Sequence, residues 1–471
     1  MSLVNRSLIT IDDLSNGEIE AIFSLADEMT SGSEECLSLC RGKIMATLFF
    51  EPSTRTRLSF ETAMHRLGGS VICTVDINST SLSKGESIAD MARVVGSYAD
   101  IIVIRHPWEG AAKLIAEYAG VPVINAGDGS HEHPSQTLCD LYTLKKEKQQ
   151  IEGLKIALCG DLKYGRTVHS LAFALARFGA TILFRPGPGL EMPEHVVRKL
   201  TTECGGELKK YEALNHVMKE GFFPPDAIYV TPSIPHQLAM MPDIDRQVEL
   251  KMEKGIDALY ITRLQRERLA PTTEEGELKR DYPVVDKKFF KEKGFKKTIV
   301  MHPLPRLDEL ASEMDTDPRS MYFKQAARGV PIRMALISLL LGVKSIDIPE
   351  KSQTIARKID YPVYNRPFGV QCHNSNCVTV REKQYVRAEF KIVNRQPLIL
   401  MCVYCEQETH PPYIASTEWH EGKLESKRYH SADSHWLEKI KPENLIIFDS
   451  EKEAQGQGFK PSKYATPKEK G

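Results

Sequence analysis

A chain of 471 residues exceeds what one hydrophobic core organises, and its length predicts about three domains. Hydrophobic residues make up 41% and charged residues 27%, the balance of a soluble globular protein. Lys+Arg (62) nearly cancel Asp+Glu (63), so no global field favours nucleic acid or an anionic membrane, and any anionic ligand must be held by locally placed Arg and Lys.

The N-terminal stretch MSLVNRSLITIDDL carries acidic residues where a signal peptide needs an apolar run. No segment approaches ~18 consecutive apolar residues, so no membrane span is expected. Six cysteines are scattered through the first 204 residues, which fits a reducing cytoplasm better than a disulfide framework. From about 43 to 300, short apolar strands alternate with amphipathic helices. The pattern predicts strands over 43–49, 71–75, 101–104, 156–159, 181–184, 227–231, 258–262 and 298–301. Phe60, Ala63, Met64 and Leu67 fall on one helical face stopped by Gly68-Gly69. Strand–helix alternation reads as parallel sheets with helices on both faces, long enough for two doubly wound α/β domains with ligands at the carboxyl ends of the strands. The boundary is expected near 149–153, after an amphipathic segment 136–148, and an apolar helix over about 331–341 closes the region.

Ser53 and Thr54 open the helix that ends at Gly68, with Arg55 and Arg57 close behind. Ser and Thr at a helix start cap free N–H groups, and those groups with the helix dipole attract an anion. Forked guanidinium donors suit phosphate oxygens. Alone, such a string is more often a capped surface helix with solvated arginines. Here, Phe50-Glu51-Pro52-Ser53-Thr54-Arg55-Thr56-Arg57 resembles the carbamoyl-phosphate signature of the aspartate and ornithine carbamoyltransferases. Six further blocks follow in that family's order: Ser81-Leu82-Ser83-Lys84-Gly85-Glu86, Arg105-His106-Pro107, His133-Pro134-Ser135-Gln136, Gly160-Asp161-Leu162-Lys163-Tyr164-Gly165-Arg166, Thr262-Arg263-Leu264-Gln265 and His302-Pro303-Leu304-Pro305-Arg306. The resemblance covers roughly 5–341.

The resemblance implies attack of the α-amine of L-aspartate on carbamoyl phosphate, giving N-carbamoyl-L-aspartate and phosphate in pyrimidine synthesis, with no cofactor for the chemistry. It implies that Ser53, Thr54, Arg55 and Thr56 cradle the phosphate. Arg105, Thr56 and His133 would contact the carbonyl oxygen, where negative charge develops. Gln136 would meet the carbamoyl amide, and backbone around Leu304 and Pro305 would face the carbamoyl group and the amine. Ser81 and Lys84, in a polar loop, are used by the family across a subunit boundary, which implies at least a homotrimer with shared sites and leaves paired trimers open. His131 and His106 have no such support and read as structural or solvated. Two carboxylates on the acceptor call for arginines, and Arg166, Arg263 and Gln265 follow strands where they could bind them. The Ser-Met-Gly loop and the His-Cys-Leu-Pro block of the ornithine-specific members are missing. Ornithine or another amino acid is the alternative acceptor.

The remaining cysteines cluster as Cys372-x4-Cys377 and Cys402-x2-Cys405. Two short knuckles of this kind bring four thiolates to one tetrahedral point, a closed structural Zn²⁺ site. The block resembles the zinc domain of the separate regulatory chain that accompanies some aspartate carbamoyltransferases, here fused to the catalytic part and placed to dock catalytic subunits together. The connector 343–371 is shorter than the ~40 residues that usually fold unaided. The effector domain is therefore expected to be missing, and ATP and CTP to exert no strong direct regulation. The expected organisation is a carbamoyl-phosphate domain over 1–150 completed by a helix within 310–341, an aspartate domain over 151–309, a linker 343–371, a β-rich zinc domain 372–410 and an appendage 411–471. The appendage resembles a small zinc module of some DNA-repair and nuclease proteins, but Ser434 and Ser462 stand where thiolates would be. Neither nucleic acid nor membrane is an expected partner.

Overall fold

The structure, a computed structural model, describes residues 3–30, 34–75, 81–163, 165–187, 189–204, 208–210, 226–231, 256–263, 284–291, 295–346, 359–366, 369–417 and 427–465. Of Arg166 only the backbone is described. In chain order the α/β part runs α1 (Asn16–Thr30), β1 (Ile44–Phe49), α2 (Thr54–Arg66), β2 (Ser70–Thr74), α3 (Ile88–Gly96), β3 (Ile101–His106), α4 (Ala111–Tyr118), β4 (Val123–Asp128), α5 (Pro134–Lys148), β5 (Lys155–Gly160) and α6 (Arg166–Arg177). It continues through β6 (Thr181–Pro186), α7 (Glu194–Thr202), β7 (Leu208–Lys210), β8 (Ala227–Thr231), β9 (Ala258–Ile261), β10 (Ile299–Met301) and α8 (Tyr322–Leu340).

Two sheets result. One has the order β2-β1-β3-β4 and the other β10-β9-β8-β5-β6-β7. The paired strands run parallel, β1 with β2 and β3, and β5 with β6 and β8. Strands such as β1 and β3 are almost wholly buried, which is why they read as continuous apolar runs rather than as alternation. In each sheet the order reverses beside the first strand, at β1/β3 and at β5/β8. Such switch points open a crevice at the carboxyl ends of the strands. Gly160 ends β5 at φ 90°, and a Cβ there would collide with the Thr231 carbonyl at the end of β8. The two strand ends can meet only around a glycine.

The expected pair of parallel α/β sheets is present, with differences in detail. The pattern missed β4, whose Asn125, Gly127 and Asp128 are poor strand formers held in place by burial. It also missed the three-residue β7. The closing helix begins at Tyr322, not near Pro331, and Pro331 lies inside it. An interior proline costs ~3 kcal/mol. Packing of α8 against α1, α2 and α5 offsets that, with Ile332, Ala335, Leu336 and Leu339 in the main core.

The chain falls into two compact units. The first comprises Met1–Asp76, Val95–Arg105 and Val121–Lys358 and holds both parallel sheets. The second comprises Ile77–Val94, His106–Gly120 and Ile359–Gly471. The second unit carries two small sheets. One orders β11 (Val363–Tyr364), β12 (Phe390–Arg395), β13 (Leu398–Cys402) and β14 (Glu408–Thr409), all antiparallel. The other is built from β15 (Tyr413–Ser416), β16 (Arg428–Ser431), β17 (Leu445–Phe448) and β18 (Lys460–Pro461). Tyr429, Ile446, Phe448 and Phe459 give that last module its own small core.

Candidate active site and metal centre

The carboxyl ends of β1 and β3 are tied together where the Phe50 N–H donates to the Arg105 carbonyl at 2.8 Å. The chain then turns into α2 with Ser53 at the N-cap. Contrary to expectation, the Ser53 hydroxyl makes no capping hydrogen bond. The first-turn N–H groups of a helix have no carbonyl within it to pair with, so this start favours an anion. Arg105 is buried and anchored twice, to Glu51 Oε1 at 2.7 Å and to the Ala126 carbonyl at 3.2 Å. His133 is the N-cap residue of α5, and Gln136 lies in that helix's first turn.

One cleft is lined by Ser53, Arg55, Thr56, Arg105, His133 and Gln136 on the side of the first sheet, and by Arg263, Leu304 and Pro305 on the side of the second. Thr56, Arg105 and His133 are buried, and Gln136 and Arg263 half-buried. Arg55 lines the cleft yet stays exposed. Partial desolvation, and then the positive charge of Arg263, hold its guanidinium below the usual arginine range. Two cations that disfavour each other's charge across a cleft gain when an anion is placed between them.

Of the other expected site residues, Thr54 begins α2 with an exposed side chain and is not among those lining the cleft. Arg166 begins α6, and Gln265 lies outside the described residues. Ser81 and Lys84 form an exposed 3₁₀ turn in the second unit, Ser81–Lys84. His131 is bound to Asp128 at 3.0 Å and His106 accepts the Trp108 N–H at 2.9 Å, both structural contacts.

Leu304 and Pro305 reach the cleft on a turn with a cis Leu304–Pro305 peptide and Leu304 at φ 55°. A branched residue rarely adopts that conformation, and His302 braces it. Its Nδ1 accepts the Leu304 N–H at 2.8 Å and its Nε2 meets Glu309 Oε1 at 2.8 Å. Because Nδ1 accepts, the ring proton belongs on Nε2, where it is donated to Glu309. Burial holds the His302 pKa down and keeps the ring neutral.

Sequence reasoning missed a buried layer beneath the cleft. Asp140 accepts from Gln136 at 2.8 Å, Gln325 at 2.7 Å and Tyr260 at 3.0 Å. Burial pushes its carboxyl up to about 7, against the pull of those hydrogen bonds and the charge of Arg333. Arg333 is buried and lines the cleft. Asp140 and Gln136 are four residues apart on α5 and so share a face, a signal the sequence did carry.

In the second unit, Cys372, Cys377, Cys402 and Cys405 are all buried, and their sulfurs lie within 4.8 Å of one another. Cys372 and Cys405 are 3.5 Å apart, and Cys377 and Cys402 3.9 Å. Four sulfurs at ~2.3 Å from one zinc ion would be about 3.8 Å apart, so the set fits a tetrahedral site. The knuckles also make the module's contacts with the segment His106–Gly120. Val378 N donates to the Glu109 carbonyl at 2.9 Å, Asn376 to the Pro107 carbonyl at 2.7 Å and Lys113 to the Val403 carbonyl at 2.9 Å. Gly110, at φ 82°, lies so close to Tyr404 that a Cβ would stand 2.7 Å from it. The module thus lies against α4 of its own chain.

Family models agree with this layout. The aspartate/ornithine carbamoyltransferase carbamoyl-P binding domain matches residues 6–146, and the Asp/Orn binding domain of the same family matches 240–340. An aspartate carbamoyltransferase catalytic subunit from Thermococcus kodakarensis is 47% identical over 349 residues, spanning 74% of this chain and 100% of that protein. The chain belongs to the aspartate carbamoyltransferase family. A catalytic subunit from Picrophilus torridus is 45% identical, over 72% of this chain and 99% of that protein. Among solved structures, the catalytic subunit of M. jannaschii aspartate transcarbamoylase superposes with a TM-score of 0.56 at 42% identity, covering 72% of this chain and 98% of that one. The Trypanosoma cruzi enzyme in complex with N-(phosphonacetyl)-L-aspartic acid gives 0.58 at 36%, over 72% of this chain and 97% of that one. These relatives favour the aspartate over the ornithine reading, and the chain is a carbamoyltransferase. The metal binding domain of the aspartate carbamoyltransferase regulatory chain matches residues 363–414. Catalytic domains and a regulatory-type Zn²⁺ module are therefore fused in one chain.

Proposed function

We propose that the cleft binds carbamoyl phosphate on the α2 side and L-aspartate on the β9 side, and that Ser53, Thr54, Arg55 and Thr56 hold the phosphate. The α-amine of aspartate attacks the carbonyl carbon, the C–N bond forms, the C–O bond to phosphate breaks, and the proton lost by the amine leaves with the phosphate. Arg105, Thr56 and His133 donate to the oxygen that becomes negative, the interaction that lowers such a barrier most. Gln136 meets the carbamoyl amide, and Arg55 steadies the departing phosphate. Arg166, Arg263 and Gln265 bind the two carboxylates, and backbone at Leu304 and Pro305 faces the carbamoyl group and the amine. The observation that carries the reading is the convergence of Arg55, Arg105, His133 and Arg263 on one cleft between two switch-point sheets.

Ser81 and Lys84 serve a neighbouring subunit's cleft, so the working enzyme is at least a homotrimer, in the cytoplasm. Exposure of the Ser81–Lys84 turn supports this, since a residue given to a neighbour must be reachable. The domain limits follow the same assignment: 1–150 with α8 for carbamoyl phosphate, 151–309 for aspartate, 343–371 as linker, 372–410 for zinc and 411–471 as a packing appendage. Mixing two inactive variants, Lys84→Gln and His133→Ala, after reversible dissociation tests the sharing. Activity should return in the mixture, because hybrid trimers contain some clefts with neither lesion. A mixture as inactive as its parents contradicts it.

A further inference from the structure

We propose that Asp140 is a positioning residue that fixes which end of the Gln136 amide faces the substrate. This rests on the reading of Gln136 given above and adds a residue that does not itself touch the ligand. Asp140 lies wholly buried on α5, one turn beyond Gln136. Its Oδ1 accepts from Gln136 Nε2 at 2.8 Å and from Gln325 Nε2 at 2.7 Å, and its Oδ2 from the Tyr260 hydroxyl at 3.0 Å.

Oδ1 accepts twice, so a carboxyl proton, when one is bound, belongs on Oδ2 facing the Tyr260 hydroxyl, and both neighbours on Oδ1 must present donors. Both glutamine amides therefore turn their NH₂ groups to Asp140. For Gln325 the consequence is visible, because its other end, Oε1, accepts the His302 N–H at 3.0 Å. The same orientation commits a Gln136 N–H to Asp140 and leaves the amide's carbonyl oxygen as its acceptor for the cleft it lines. A carbonyl there accepts a hydrogen bond and cannot give one. It matches the NH₂ of a carbamoyl group and gains nothing from the methyl of an acetyl group, so the amide orientation reads the acyl donor. Tyr260 sits on β9 and stacks on Tyr229 of β8 at 4.4 Å, which ties this carboxylate to the second sheet as well as the first. The buried Arg333 supplies the opposing charge.

Turning Asp140 into an amide, as in Asp140→Asn, offers its neighbours a donor as well as an acceptor and releases the Gln136 orientation. The test is a cycle of Asp140→Asn, Gln136→Ala and the double variant, read as kcat/KM for carbamoyl phosphate. It is run alongside the inhibition constant of acetyl phosphate, which keeps the phosphate and carbonyl oxygen and lacks only the carbamoyl NH₂. Each single variant should lose at least tenfold in kcat/KM. The double variant should be within threefold of the worse single, and acetyl phosphate should inhibit Asp140→Asn within twofold of the parent. Multiplicative losses overturn the proposal, as does a weakening of acetyl phosphate that matches the loss in kcat/KM. If Gln136→Ala keeps parental activity, the role given to Gln136 itself is wrong. Should Asp140→Asn alone fail to fold, the exchange Gln136→Glu with Asp140→Asn restores a carboxylate–amide pair. It should exceed Gln136→Glu alone at least tenfold, and no gain contradicts the proposal.

Discussion

The Nε2 of His302 stands 2.8 Å from Glu309 Oε1, and both side chains are buried. The pair supports the turn that carries Leu304 and Pro305 into the cleft, while Glu309 also accepts the Leu307 N–H at 3.1 Å. Burial pushes the Glu309 carboxyl up, but the His302 hydrogen bond together with backbone N–H donors holds it below its usual range, so the anion is the form that is held. Glu309→Gln should lower kcat/KM about tenfold, the worth of one charge-assisted hydrogen bond, with little change in far-UV circular dichroism. Steady-state kinetics at varied aspartate checks this; an unaltered kcat/KM would show that the turn holds its shape unaided.

Much of this site was legible in the sequence and part of it was not. Ser53, Arg55, Arg105, His133, Arg263, Leu304 and Pro305 sit where strands end, and a parallel sheet gathers strand ends into one crevice. The Cys372/Cys377 and Cys402/Cys405 knuckles were equally readable, because zinc geometry demands that spacing. Tyr260, Gln325 and Glu309 were hidden, and Asp140 showed only its helical spacing from Gln136. What gives each its meaning is a partner more than a hundred residues away or a turn whose conformation no local pattern announces. For β4, burial overrode the poor strand propensity of Asn125 and Gly127.

Arg263 is the described arginine nearest to a test of acceptor binding. Arg263→Ala should raise KM for aspartate about a hundredfold, the loss of roughly 3 kcal/mol expected when one partner of a close charge pair is removed. Carbamoyl phosphate affinity should change less than threefold. Equal loss for both substrates would place Arg263 in the phosphate half instead.

Zinc should be structural. One ion per chain is expected by atomic emission, and Cys402→Ser should reduce it severely, since metal binding supplies on the order of 10 kcal/mol of folding free energy to such modules. Loss of zinc should also loosen the contacts of Val378 and Asn376 with the segment His106–Gly120. Hydrogen exchange at the Val378 amide, donated to the Glu109 carbonyl, reads this directly. Unchanged protection after chelation would show that the module folds without the ion.

Stability should fall on the alkaline side through Glu132. Burial pushes this carboxyl up to about 8 although the Lys199 and His131 charges and the Ser170 hydroxyl pull it down. A folded pKa above the unfolded one favours the protonated native state. That contribution is complete below about pH 4 and is lost as pH rises through about 8. Urea midpoints should therefore decline between pH 5 and 8, and Glu132→Gln, which cannot ionise, should flatten the decline. An equal slope in both proteins would remove Glu132 from the account.

The chain moves a carbamoyl group to aspartate. The most direct measurement incubates the full chain with carbamoyl phosphate and, separately, with L-aspartate, ornithine and N-acetylornithine, following both phosphate and the ureido product. N-carbamoyl-L-aspartate and an equal amount of phosphate should form with aspartate, and little product with the other two. Preferential carbamoylation of ornithine, or phosphate released without carbamoyl aspartate, would contradict it.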